Sequence, residues 1–410
     1  MAHRTSPIRR TTAGAAAVLL GTLGAGCARD APGPVTPQAS PGATTGAPAG
    51  PPAVGTPGTS PPATVGTGDF PGTAWERGNA REAGFDPREL AKVAARAREN
   101  GSNCLVVLRH GKVVADWYWN GTTASSRQEV FSATKSYTST LVGIAEAEGL
   151  LDIDDKVSEY VPEWAGTAAG DVRIRNILSN DSGRHWDLTT DYRGLVQAAD
   201  RTGFAVKLSQ DAAPGKVWAY NNAAIQTLDA VLRKATGKEP GEYARERLLG
   251  PLGMRNSEMT RDRAGNTNMF FGLRSTCEDM ARFGHLFLRG GVWHGARLVP
   301  ARWVKAATGR PSQKINAAYG YLWWINARGT VTGPLRATTR AESDQARPAR
   351  LVSGAPPDMY WAIGLGGQVI QVDPGSDTVV VRLGPGNTGS RYGAQDTAKA
   401  VTQALTEPGP

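Results

Sequence analysis

From Phe85 onward the chain reads as short apolar runs whose period is near two at both ends and near four between them. "CLVVLRHGKVVADWYWNG" is a pair of β-rich runs around His110-Gly111-Lys112 and predicts a hairpin. Ser132 to Glu148 carries apolar residues at helical spacing and stops at Gly149, which predicts a helix with Ser132 at its entrance. About Ile153 to Gly290 reads as mostly helical, with "VRIRNILSN", "AAIQTLDAVLRKATG" and "GEYARERLLGPLGM" as its clearest segments. Ser275 and Glu278 have capping-box spacing ahead of "DMARFGHLFLRGG". Strand character returns in "YGYLWWIN", "QVIQVD" and "TVVVRLG", before a closing helix near Gln395 to Leu405.

Strands at both ends with helices between predict an α/β (α+β) fold. One antiparallel sheet flanked by helices is built from about 69–152 and 291–406, and a helical lobe is inserted at about 153–290. A cleft between the two lobes is then the default place for a site.

The start of the chain is of another kind. Arg4, Arg9 and Arg10 precede an apolar run from Ala13 to Leu23, so residues 1–27 read as an export signal. Eleven residues cannot span roughly 30 Å of hydrocarbon as a helix. "LGAGC" resembles a bacterial lipoprotein box, with Gly24 where leucine is usual; lipidation of Cys27 and simple signal cleavage both stay open, and Arg9-Arg10 allows a twin-arginine route. The chain is thus expected to be exported, either anchored to the cell surface at Cys27 or secreted. Residues 28–68 hold ten of the 27 prolines and almost no charged or aromatic residue, so they cannot bury enough surface to fold; they read as a tether or an ordinary disordered terminus.

Charge and cysteine content narrow the chemistry. The formal charge of +9 includes three leader arginines, and the remaining basic residues scatter along the chain, which excludes a nucleic-acid footprint. Any membrane contact is expected through the lipid anchor alone. Cys104 and Cys277 could pair in an oxidising compartment, but distant cysteines without motif spacing are expected to be separate buried thiols. No zinc pattern is present, and no metal or cofactor is expected.

The reacting groups are sought in "FSATKSYTS", residues 131–139. An i, i+3 spacing puts Ser132 and Lys135 on one helix face, where a desolvated amine can take the proton of a hydroxyl. Alone, Ser-x-x-Lys is weak, and its bland reading is an exposed helix start. Downstream lie Tyr220-Asn221-Asn222 at the entrance to a helix and Leu365-Gly366-Gly367-Gln368 at a late strand; Tyr118-Trp119-Asn120 also fits Tyr-x-Asn but falls in the predicted hairpin. In this order the chain resembles the β-lactamase and penicillin-binding-protein superfamily of serine hydrolases. Within that superfamily it is most similar to class C β-lactamases and the related esterases, D-aminopeptidases, acyltransferases and 6-aminohexanoate-oligomer hydrolases. "ILSNDSGRHWD", "GKVWAYNNA", "ERLLGPLGM" and "DMARFGHLFLRGGVWHG" look like further stretches of that family, and the likeness runs from about Phe85 to Leu383.

The resemblance implies an acyl-enzyme on Ser132, with Lys135 and Tyr220 passing its proton; which of the two is the base stays open. Asn222 would bond around Lys135 and the substrate. The oxyanion would sit between the N–H groups of Ser132 and Gln368, and Gly366 and Gly367 would leave the strand edge bare, their bland reading being a bulge or turn. Many members carry Lys-Thr-Gly where Leu365-Gly366-Gly367 is aligned, so a dedicated β-lactamase or D,D-peptidase becomes a weaker expectation than an enzyme for small-molecule esters or amides. Acyl transfer, and a non-catalytic binding protein of the same fold, are the remaining alternatives. His185, Trp186, Tyr192, Tyr319 and Trp323 are candidates for an apolar acyl pocket, against a bland reading as core. No Gly-x-Ser-x-Gly elbow exists, and Gly384 to Gly389 reads as a turn rather than a phosphate loop. The polar stretch from Ala327 to Asp358 is expected to be a surface loop rather than a flap.

Overall fold

A computed structural model of the chain describes residues 70–386 and 392–406. The leader, Cys27, the Pro-rich segment and part of the Gly384–Gly389 turn lie outside the described residues.

Both ends of the described chain feed one six-stranded antiparallel sheet. Its order is Lys112–Tyr118, Cys104–Arg109, Thr378–Leu383, Gln368–Asp373, Tyr360–Gly364, Trp324–Ile325. The first hairpin turns where predicted, with positive φ at His110 (52°) and Gly111 (74°), the pair of left-handed residues that a two-residue turn requires. Cys104–Arg109 is buried throughout because both sheet faces are covered. Leu105 and Val107 join Leu90 and Val93 of the helix Pro87–Glu99 and Val401 of the closing helix Ala394–Ala404. Val106 and Leu108 face the other way, into a cluster with Phe283 and Leu286 of the helix Cys277–Leu288. Two buried faces explain why the strand reads as a continuous apolar run instead of an alternating one. Each such side chain contributes roughly 1.5–3 kcal/mol.

The helix Cys277–Leu288 lies flush on the sheet: a Cβ on Gly284 would come within 2.6 Å of Val379 and 2.8 Å of Ile370. It therefore belongs with the strands, and the inserted helical part ends near Thr276 instead of 290. Its cap is Thr276, whose Oγ1 accepts from the Asp279 N–H, while the Ser275 hydroxyl pairs with that of Ser257. Cys104 and Cys277 are joined as a disulfide, with Cα atoms 6.5 Å apart. The expectation of separate thiols fails because the helix on the sheet brings its first residue over the first residue of the strand, a proximity that a separation of 173 residues hides.

Only Trp324–Ile325 of "YGYLWWIN" is extended, and a further strand, Tyr360–Gly364, precedes "QVIQVD". The stretch 327–358 is not a detached loop. Thr338–Thr339 pairs with Val217–Trp218, just ahead of Tyr220, and Asn326 ties the segment's far end by donating to the carbonyls of Val352, Ala355 and Pro356.

Candidate active site

Phe131–Ala133 forms a 3-10 turn that runs into the helix Thr134–Ala147. "TKSYTST" is polar, yet every one of its residues is buried. The cost of burying hydroxyls is offset by bonds to carbonyls: Ser136 donates to Leu322, Thr138 to Met269 and Thr140 to Ser136. An exposed helix start is thereby excluded. Ser132 itself is half-buried, next to Phe131, whose φ of +47° is the left-handed conformation that a bulky residue avoids. Phe131 is held there by its N–H donating to Glu129 and its carbonyl accepting from Thr134 Oγ1.

Lys135 is enclosed. Its Nζ donates to Ser132 Oγ at 2.8 Å and to the Phe270 carbonyl at 2.9 Å, and lies 4.6 Å from the centre of the Tyr220 ring. Burial pushes the amine down to about 7, although the charge of Asp191 pulls it upward. Tyr220 is also buried, which drives its phenol well above the ordinary value against the pull of hydrogen bonds with Ser132, Trp324 and Tyr319. Of the two groups on the serine, the amine is the one that can stand unprotonated near neutral pH.

The fold brings Ser132, Lys135, Tyr220 and Asn222 together. The helix Asn222–Gln226 starts directly after Tyr220, and Asn221 caps it by accepting from Ala224 N–H. The Asn222 amide donates to Asp191 Oδ2 at 2.7 Å.

The strand readings need correction. Gly366 and Gly367 close the turn between Tyr360–Gly364 and Gln368–Asp373, with φ of 78° and 76°. Their carbonyls accept from buried Arg382, and Cβ atoms there would strike Pro385 O and Tyr392 O. Gln368 pairs with Gly364 in the ladder, and its side chain bonds to Leu365 O and to both backbone groups of Gly384. Gly364 is the glycine beside the nucleophile: a Cβ there would lie 2.2 Å from Val130 O. Because Gly364 O accepts from Gly367 N–H on the inner side, the trans peptide it shares with Leu365 turns the Leu365 N–H toward the outer edge. The Trp324–Ile325 strand covers that edge only as far as Trp361. That leaves the Leu365 N–H as the candidate for a second oxyanion donor, and the triplet ahead of it is Ala362-Ile363-Gly364. Three glycines within four residues made a three-residue misalignment easy.

The sequence model of the family described as beta-lactamase matches residues 90–404. The chain belongs to the beta-lactamase family. It is 27% identical over 326 residues to the 6-aminohexanoate-dimer hydrolase of Paenarthrobacter ureafaciens, covering 72% of this chain and 75% of that one. It is 29% identical over 186 residues to the esterase/beta-lactamase LipL of Mycobacterium tuberculosis, 41% of this chain and 42% of that one. A solved Bacteroides dorei structure, provisionally described as a beta-lactamase, superposes with a TM-score of 0.63 at 18% identity, covering 79% of this chain and all of that one. That likeness concerns the fold. As in the sequence reading, this beta-lactamase-family chain has no cation in the triplet beside its serine.

The five pocket candidates divide. Trp186 is half-buried with Nε1 donating to Tyr220 O, and Tyr192 is half-buried with its hydroxyl donating to Pro334 O of the 327–358 segment. Tyr319 is buried edge-on to Tyr220, with ring centres 5.9 Å apart, so it supports the site from beneath. Trp323 is core, packed between Phe283, Phe287 and Tyr360. His185 lines no apolar pocket: its ring bonds to Asp211 at 2.7 Å and Asp187 at 3.0 Å. Partial burial draws that imidazole down, but the two carboxylates outweigh it and hold it above its ordinary value.

Sequence reasoning missed Trp324, which stacks on Tyr220 at 5.6 Å, the Phe270 carbonyl and Asp191. Trp324 sits beside the tryptophan that was named, and strand alternation was the signal that distinguishes them. A cavity of about 650 Å³ lies elsewhere in the helical part, lined by Trp164, Arg184, Val206 and Leu208. It contains none of the reacting groups, so the site is assigned on chemistry and not on void volume.

Proposed function

We propose that the protein is an exported serine hydrolase that cleaves small esters or amides through an acyl-enzyme on Ser132. The observation that carries this reading is the 2.8 Å contact between Ser132 Oγ and a buried Lys135 Nζ whose pKa is lowered to about 7. Neutral Lys135 takes the proton from Ser132 Oγ as that oxygen bonds to the substrate carbonyl carbon. The carbonyl oxygen becomes an anion held by the N–H groups of Ser132 and Leu365. The lysine proton passes to the leaving alcohol or amine, directly or through the Tyr220 hydroxyl, as the C–O or C–N bond breaks. Water, deprotonated by the same amine, then releases the acid and restores Ser132. An alcohol or amine in place of water would give acyl transfer from the same intermediate.

Several features favour small ester or amide substrates. Ala362-Ile363-Gly364 offers no ammonium to a substrate carboxylate, which disfavours a dedicated β-lactamase or D,D-peptidase. The relative matched over 326 residues is named as a 6-aminohexanoate-dimer hydrolase, which supports a linear amide as one substrate class, while shorter matches are named as a D-aminopeptidase and an esterase/beta-lactamase. A binding protein of the same fold has no use for an enclosed lysine bonded to a serine. The Cys104–Cys277 disulfide supports an oxidising compartment and so the export reading. Turnover of a short-chain nitrophenyl ester and of a linear amide by wild type and by Ser132→Ala tests the proposal. It predicts hydrolysis by wild type and loss of at least about a thousandfold in the variant. Equal rates in the two proteins contradict it.

A further inference from the structure

We propose that Asp191 is a positioning residue of the reacting set: its buried carboxylate clamps the start of the Tyr220–Asn222 segment, fixes the Asn222 amide and supplies the countercharge to Lys135. This inference rests on the serine-hydrolase reading for its kinetic consequence but not for its electrostatic one.

Asp191 is almost wholly buried. Its Oδ2 accepts from Asn222 N–H at 3.1 Å and from Asn222 Nδ2 at 2.7 Å, and its Oδ1 accepts from Ala223 N–H at 2.9 Å. Three donors converge on one carboxylate, and all belong to the two residues that follow Asn221 at the head of the helix. Capping of that helix does not require this arrangement, since Asn221 already accepts from Ala224 N–H. The bond to Nδ2 also sets which way the Asn222 amide lies, because a carboxylate accepts and cannot donate. The amide oxygen Oδ1 is then left buried with no hydrogen-bond donor. The second Nδ2 hydrogen stays available as a donor beside Tyr192.

The charged and titratable groups around this pair are few. Asp191 feels Lys135; the phenols of Tyr192 and Tyr220 feel Asp191; and Lys135 is otherwise surrounded by the Tyr220 and Phe270 rings and the Phe270 carbonyl. Among the described residues, no other carboxylate acts on the lysine. Burial raises the Asp191 carboxyl to about 6 even though its three donors and Lys135 favour the ionised form. Asp191 is bonded to Asn222, two residues beyond the Tyr220 ring that lies 4.6 Å from Lys135 Nζ, so carboxylate and amine share one buried site, and removing the carboxylate should leave Lys135 a weaker base toward the serine.

The test titrates full-length protein by NMR, reading Lys135 through its 13Cε resonance, assigned with Lys135→Ala, and Asp191 through its 13Cγ resonance. In wild type the two resonances should move together, each showing the other's step. In Asp191→Asn the Lys135 midpoint should fall by roughly one to three units, and Asp191→Glu should recover part of that shift. Kinetics of a nitrophenyl ester supply the second readout. Asp191→Asn should lower kcat by roughly tenfold or more with KM little changed, and its rising pH limb should move to lower pH. An unchanged Lys135 midpoint in a folded Asp191→Asn, or wild-type resonances that titrate independently, would overturn the proposal. The wild-type titration does not depend on Asp191→Asn folding. Absence of turnover and of fluorophosphonate labelling in wild type would count against the hydrolase reading while leaving this electrostatic test intact.

Discussion

At the scale of single residues, the proposed activity depends on which group on Ser132 stands unprotonated and can take its proton. Lys135 must be neutral to act, and burial brings it to about 7. Activity should therefore rise about tenfold per pH unit below that point and level off above it. A profile of kcat/KM against pH checks this, and a flat profile from pH 5 to 9 would reject lysine as the base. Lys135→Arg should abolish turnover without unfolding the chain, because a guanidinium keeps its proton at any working pH. Circular dichroism and the ester assay on one sample measure both. Ser132, Lys135, Tyr220 and Asn222 were legible in the sequence because the family's motifs are local strings. Asp191 and the Phe270 carbonyl were not, since neither belongs to a string and their roles arise only when distant segments meet.

At the scale of elements, the register of one hairpin decides which glycine serves the site. Gly364→Ala would place a methyl 2.2 Å from Val130 O, so the strand or the nucleophile turn must shift. The expected result is a fall of roughly a hundredfold in kcat. Gly366→Ala strains a residue at φ 78° and puts a methyl 2.5 Å from Pro385 O, so it should lower stability by more than the roughly 1–2 kcal/mol of the backbone strain alone, with a smaller effect on kcat in the folded fraction. Denaturant melts and single-substrate kinetics on both variants compare the two positions. The reverse pattern would restore the alignment that the sequence first suggested. Helices were readable from their periodicity, and so were the two buried strands, from β-branched runs such as "TVVVRL". The strand Tyr360–Gly364 was blurred by the glycines that follow it, and the brace from Thr338–Thr339 to Val217–Trp218 is too short to leave a period.

At the scale of the whole molecule, the fold was legible because its order is strands, helices, strands, which leaves one antiparallel sheet as the economical solution. Long-range closure was not. The disulfide links the first residue of a central strand to the first residue of the helix packed on the sheet. By loop entropy a bridge over such a separation contributes up to about 5 kcal/mol, so reduction, or Cys104→Ser with Cys277→Ser, should lower Tm markedly. Identical melts with and without reductant would show that the bridge adds no stability.

The central claim is that Ser132 becomes acylated, and the most direct measurement is intact mass followed by peptide mapping after rapid acid quench of the protein with a nitrophenyl ester. The account predicts one acyl adduct per chain, located on the peptide containing Ser132 and absent from Ser132→Ala. An adduct on another residue, or ester turnover that persists in Ser132→Ala, would contradict it.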